Sequence, residues 1–362
     1  MDKPKEHFLY LDMLRGVAAI AVVLLHWFAG FGYTPFGSGG LAVDLFFMLS
    51  GFVIAHSYGD RLLAGFSKKT YLVSRIIRLY PMIILGAVLG VARVIGAGVL
   101  KGDPVSSTDL IGQFVKNLLL LPNTGTDLAA MFPLNGPIWS LHFEMLAYLA
   151  FCLFLFKVNS KWILAILPVA AIAVFDWASV IFGAGLSASD QSTSIQVYLH
   201  GLGRVTLGFG TGVLVYRFRD RLLTAVRYHA LVPIVLLTAI FFVPKATMQP
   251  LLAVFVICAV FPMIVLGGSR VPVSGRFEGL AKALGDLSYP LYAIHVPLLW
   301  IVAGMCKFAG IAIGGAEVNN AIFVIPGVVV LSLFVFRCVD RPTRMLLAKS
   351  RSAGPIHARI TG

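Results

Sequence analysis

The sequence predicts an all-α fold, a polytopic transmembrane helical bundle of about ten spans with both termini cytoplasmic. Three observations carry that expectation. First, the 362-residue chain is 59% apolar and 12% charged, against about 45–50% and about 25% in soluble domains, and its mean hydropathy is +0.90. Second, it contains ten apolar runs, each near the ~20 residues needed to cross a bilayer. Third, its basic residues alternate between crowded and almost empty loops, as topology determinants do.

The runs lie near 9–30, 40–58, 72–98, 137–156, 162–182, 198–216, 230–244, 250–268, 284–306 and 321–338. The first is too long for a cleavable signal peptide and contains Asp12 and Arg15. The second holds Asp44, and the third opens on Arg75 and Arg78. The loop from about 99 to 136 is the longest, and its leucine-rich segment 117–122 is expected at the membrane interface. The fourth and ninth runs carry polar stripes. The seventh is short, which leaves a count of nine open. Residues 1–346 are expected to form one transmembrane domain and 347–362 a cytoplasmic tail, with no internal repeat and no second soluble domain.

With the N-terminus inside, the cytoplasmic segments hold 22 Lys and Arg and the opposite loops hold 4. That asymmetry places both termini in the cytoplasm, which requires an even number of spans and favours ten over nine. The net charge of +13 is dispersed over these short loops. A nucleic-acid partner is therefore not expected, since such binders gather Lys and Arg on one soluble face. Cys152, Cys258, Cys306 and Cys338 lie within or at the ends of apolar runs and form no C-x-x-C pair. They read as buried thiols, and no metal site is expected.

Ionisable groups inside spans are costly and need a cavity, a partner or a function. Arg15 and His26 are eleven residues apart, which is about 20° around a helix and about 16 Å along it. They share a face, with Arg15 toward the cytoplasm and His26 in the outer half. The structural alternative pairs Arg15 with Asp12 and leaves His26 as a helix-bridging hydrogen-bonder. Ser140, Glu144 and Tyr148 form an i,i+4 stripe, and Glu144 lies about 10 Å below the start of its run. That depth suggests a meeting with His26, for which Asp44 competes. Ser288, Tyr292 and His295 form a third stripe, flanked by Tyr289. Arg75 and Arg78, one turn apart, suit a phosphate-rich ligand; topology-setting charge is the other account of them.

At these residues the chain resembles the acyltransferase 3 family of integral membrane acyltransferases. LDMLRGVAAIAVVLLH is similar to the family's opening motif, with Arg15 and His26 separated by ten residues. Phe46, Phe47, Ser50, Gly51 and Phe52 resemble its Phe-Phe-x-x-Ser-Gly-Phe signature, and SRIIRLYP its Arg-x-x-Arg motif. WSLHFEMLAY and LSYPLYAIHVPLL look like two further family segments, and the order of all five is the family's. The resemblance runs from the first span to Asp340-Arg341-Pro342.

The resemblance implies transfer of an acyl group, usually acetyl from cytoplasmic acetyl-CoA, to a hydroxyl of an extracytoplasmic carbohydrate or cell-envelope acceptor. It places the enzyme in the cell inner membrane, as a stand-alone member without the SGNH hydrolase-like domain that some relatives carry. A separate extracytoplasmic transfer partner stays open. Arg75 and Arg78 would hold the acyl-CoA phosphates, while Arg15, Ser288, Tyr289 and Tyr292 would line the pantetheine tunnel. His26 would act as general base, with Glu144 or Asp44 orienting it as a carboxylate does in hydrolase triads. Direct attack and an acyl-histidine intermediate both remain open. A transporter of a small anion or lipid-linked sugar is the alternative function; it would require inverted repeats and broken helices.

Overall fold

The computed structural model describes residues 7–32, 35–102, 105–123, 131–179, 195–222, 229–311 and 320–352. Among these the chain forms helices joined by turns and short irregular segments, with no strand. Eight helices are long and apolar enough to cross a membrane, so the polytopic helical bundle expected from composition is what forms. Lys3, Lys5, Arg227, Arg359 and the end of the fifth apolar run lie outside the described residues.

α1 spans Leu9–Ala29, α2 Ala42–Leu63 and α3 Lys68–Lys101. α3 starts where the Ser67 side chain accepts from the Thr70 amide, and it stops at Gly102, whose φ of 72° few other residues adopt. At 34 residues it is about 50 Å long, so it overshoots a ~30 Å hydrocarbon core and carries Lys68 and Lys69 beyond it. α4, Ser107–Leu118, is a helix inside the long loop, capped by Ser106 accepting from the Asp109 amide. In the 117–122 segment Asn117 and Leu120 are buried while Leu119 and Leu121 face outward.

α5 covers Ile138–Ala150 and continues through one π-helical turn to Leu155. α6 is Ser160–Ala178 and α7 Ile195–Leu222. α7 is long enough to span but is diluted by Arg204 and several glycines. α8, Leu231–Phe241, is short. α9 (Pro250–Phe255) and α10 (Phe261–Gly268) are joined by a π turn into one span. α11 is Arg276–Phe308; α12 is Ala321–Val335, and a further π turn leads into α13, Arg341–Ser352. The boundary expected at 346/347 therefore falls within a continuous helix.

Two close helix pairs frame the interior. α1 packs on α11, where a Cβ on Gly16 would sit 2.5 Å from the Leu284 Cβ. α2 packs on α7, where a Cβ on Gly51 would meet the Phe209 carbonyl at 2.1 Å and one on Gly212 the Met48 carbonyl at 2.1 Å. Without side chains at these positions the backbones touch, the small-residue solution to packing in lipid. α2 is thereby the central span, with 83% of its apolar window buried against protein.

One irregular segment matters for the site. Residues 131–137 enter the bundle before α5 begins. Asn135 is buried and donates from Nδ2 to the Ala293 carbonyl of α11 at 2.7 Å. Leu134 runs so close to α3 that a Cβ on Gly90 would strike its carbonyl at 2.4 Å. Non-helical backbone at such depth is tolerated where protein satisfies its polar groups.

Candidate active site

At the face of the bundle where α1 starts, a vestibule of about 320 Å³ is framed by four cationic side chains, Arg15, Arg78, Lys282 and Arg344, with Asp12 and Asp286. Three of the cations are already paired: Arg15 with Asp12 at 2.9 Å, Lys282 with Glu278, and Arg344 with Asp340. Arg78 forms no hydrogen bond or ion pair among the described residues, and it borders both this vestibule and the chamber beneath it. A guanidinium with its donor fork uncommitted is suited to phosphate oxygens.

The vestibule narrows into a chamber of about 60 Å³. Arg15, Arg75, Arg78, Ser288, Tyr289 and Tyr292, all proposed from sequence, line this one chamber, and Glu144 lines it too. Ser50 and Tyr148 both donate hydroxyl hydrogens to Glu144 Oε1, with Ser50 at 2.7 Å. Deeper, the Ser140 and Tyr292 hydroxyls lie 2.7 Å apart. Tyr289 donates its hydroxyl to the Leu79 carbonyl, which ties α11 to α3. Arg75 differs from Arg78. It is buried, donates to the Tyr58 hydroxyl at 2.8 Å and lies 4.9 Å above the Tyr58 ring.

His26 lines a different cavity, of about 340 Å³, at the opposite end of α1, together with Arg93, Trp300 and the inserted segment. Its Nδ1 is 3.2 Å from His295 Nε2 and 2.9 Å from the Val22 carbonyl. His295 is fully buried, and its Nδ1 sits 2.8 Å from the Tyr292 carbonyl and 3.1 Å from that of Leu291. Carbonyls only accept, so His295 carries its proton on Nδ1 and, when neutral, presents a lone pair from Nε2. His26 Nδ1 then faces two acceptors and must bear hydrogen. The lone pair of neutral His26 is left on Nε2. His295, one turn past Tyr292, thus stands between the chamber and the outer cavity.

Two sequence expectations are corrected. Glu144 does not orient His26: its carboxylate is held by Ser50 and Tyr148 in the chamber. The depth estimate failed because α5 starts inside the bundle, after residues 131–137 have used up the outer layer, and not at the membrane surface. Asp44 does not orient His26 either. It is fully buried in a bidentate pair with Arg204, Nε to Oδ1 at 3.0 Å and Nη2 to Oδ2 at 2.8 Å. The Arg204 guanidinium stacks 4.0 Å from the Trp177 ring and 5.0 Å from that of Trp139. The pair bolts α2 to α7.

The place beside His26 Nδ1 where the sequence reading expected a carboxylate is occupied by His295, a residue of the third polar stripe. Arg93, Arg204 and Arg344 also escaped a site assignment. The available signal for Arg93 and Arg204 was a full charge in the middle of an apolar run.

Comparison with known proteins identifies the family. The chain is 38% identical over 185 residues to "Protein 2 in picA locus" of Rhizobium radiobacter, covering 48% of this chain and 95% of that protein. No solved structure matches it. The family profile Acyl_transf_3, described as an acyltransferase domain, matches residues 8–337, which includes the residues named in the vestibule, chamber and outer cavity except Arg344 and its partner Asp340. The chain belongs to the acyltransferase 3 family and is a multi-pass membrane acyltransferase.

Proposed function

We propose that the protein moves an acyl group, in the first instance acetyl, from acyl-CoA on the cytoplasmic side to a hydroxyl of a carbohydrate or cell-envelope acceptor on the other side of the inner membrane. The observation that carries this reading is the position of the His26–His295 contact, between a cationic vestibule with its chamber and an outer cavity. The count of 22 basic residues on one side against 4 on the other supports the cationic vestibule as the cytoplasmic one.

In this reading the acyl-CoA phosphates bind at Arg78, with Arg15 and Arg344 adding charge. The pantetheine arm threads the chamber past Ser288, Tyr289 and Glu144, and the thioester reaches the level of Ser140 and Tyr292. The acceptor enters the outer cavity. His26 Nε2 takes the hydroxyl proton as the oxygen attacks the thioester carbonyl carbon. The carbon–sulfur bond then breaks, and the CoA thiolate leaves, receiving a proton from the imidazolium. His295 Nε2, accepting from His26 Nδ1, holds the productive tautomer and stabilises the transient charge, as a triad's third member does. The chamber of about 60 Å³ must widen for the arm to pass.

The test is sided. Protein in sealed proteoliposomes is given labelled acetyl-CoA on the cytoplasmic face and glycoside acceptors inside. Label covalently attached to glycoside supports transfer across the bilayer. Intact acetyl-CoA inside, without acylated glycoside or thioester cleavage, supports the transporter reading instead.

A further inference from the structure

The outer cavity contains a charge that acyl transfer alone does not require. Arg93 lies fifteen residues beyond Arg78 on α3, about 22 Å along the helix, so it takes no part in the cationic vestibule. It shares the cavity with His26 and Trp300. Its Nη2 donates to the Pro133 carbonyl at 2.8 Å, and its Nε–H is buried with no hydrogen-bond partner among the described residues. Among the described residues no carboxylate pairs with it, and none lines the cavity.

Holding Pro133 in place uses one of the five donors of a guanidinium. A neutral amide would do that without placing a full charge in an apolar span, where ionisable groups signal function. The inserted segment also fixes the side chain. Gly90, one turn before Arg93, lets the Leu134 backbone approach α3, and Leu134 lines the cavity. Trp300 offers an aromatic surface in the same cavity.

We infer that this cavity is an acceptor subsite selective for a carbohydrate bearing a carboxylate or phosphate substituent. Arg93 takes the anion, and Trp300 packs on the apolar face of the sugar ring. The assignment of this cavity to the acceptor rests on the acyl-transfer reading above; the anion preference rests on Arg93. The shared chemistry is an oxyanion within reach of an attacking hydroxyl.

The experiment measures binding of three probes to purified protein in phosphatidylcholine nanodiscs: methyl β-D-glucoside, methyl β-D-glucuronide and methyl β-D-glucoside 6-phosphate. At least one anionic probe is expected to bind about 10- to 150-fold more tightly than the neutral one, the range of a charge-assisted hydrogen bond. The tighter of the two identifies carboxylate or phosphate. Arg93→Gln removes the preference, and Arg93→Lys restores part of it. Unchanged acyl-CoA binding shows that each variant is folded. Equal binding of all three probes, no measurable binding of any, or a preference that survives in Arg93→Gln overturns the proposal. So does an Arg93-dependent signal that phosphatidylglycerol nanodiscs abolish at trace glucuronide-competing levels, which would assign the anion to lipid. Anion preference without acetyl-CoA consumption defeats the transfer reading alone; acylation indifferent to Arg93 defeats the anion subsite alone.

Discussion

His26 and His295 face each other across the α1–α11 interface, with His26 Nδ1 3.2 Å from His295 Nε2 and their rings in an edge-on arrangement at 4.9 Å. The backbone carbonyls behind His295 fix its tautomer, and His295 in turn fixes that of His26. When both imidazoles are neutral they therefore form a directed pair in which His26 carries its lone pair on Nε2. His295→Ala should lower kcat less than loss of His26 does, and the double variant should be no slower than His26→Ala alone, because the two act as one unit. Steady-state kinetics of the three variants check this. Multiplicative losses would mean that His295 acts independently.

Arg78→Ala should raise KM for acyl-CoA by roughly 10- to 150-fold by removing a charge-assisted contact. Arg78→Lys should recover part of it, since a point charge replaces a fork. Arg75→Ala should behave differently. That side chain is buried among tyrosines, so its loss should show first as a lower Tm. Titrations of acyl-CoA and thermal unfolding of both variants separate the two roles. An equal KM effect from both arginines, with Tm unchanged, would count against this division.

Glu144→Gln should weaken acyl-CoA use and leave the pH profile of kcat unchanged, because the carboxylate contacts Ser50 and Tyr148 in the chamber and not His26. Its effect should add to that of His295→Ala, as expected of separate sites. A shifted pH profile would return Glu144 to the proton-transfer unit.

Asp44→Ala should destabilise the protein by about 3–5 kcal/mol, since it removes one partner of a fully buried ion pair. Replacing both partners together, Asp44→Leu with Arg204→Met, should recover much of that loss. Unfolding in detergent is the measurement. If Asp44→Ala kept wild-type stability and lost activity, Asp44 would be a reacting group after all.

How much of this was legible from the residues follows a physical line. Periodicity and charge report which side chains share a helix face, and the stripes through Arg15 and His26, through Ser140, Glu144 and Tyr148, and through Ser288 and Tyr292 are all present. The six residues proposed to hold the donor do converge on one chamber. Depth was less legible. Counting from the start of an apolar run assumes that the run begins at the membrane surface, and α5 does not, because residues 131–137 precede it inside the bundle. Partnership between distant helices was not legible at all: nothing along the chain says that Asp44 belongs to Arg204, 160 positions away. α4 could have been found, since Ser106 three residues before Asp109 is a helix-start signature.

The central claim is that His26 is the base, and its most direct test is transfer from labelled acetyl-CoA by purified His26→Ala in the same proteoliposomes as the wild type. The account predicts a fall in transfer rate of about 10²–10⁴-fold, the usual cost of a positioned general base. Acyl-CoA affinity should be unchanged, because His26 lies in the outer cavity, away from Arg78 and the cationic vestibule. Transfer by His26→Ala at near the wild-type rate would contradict it.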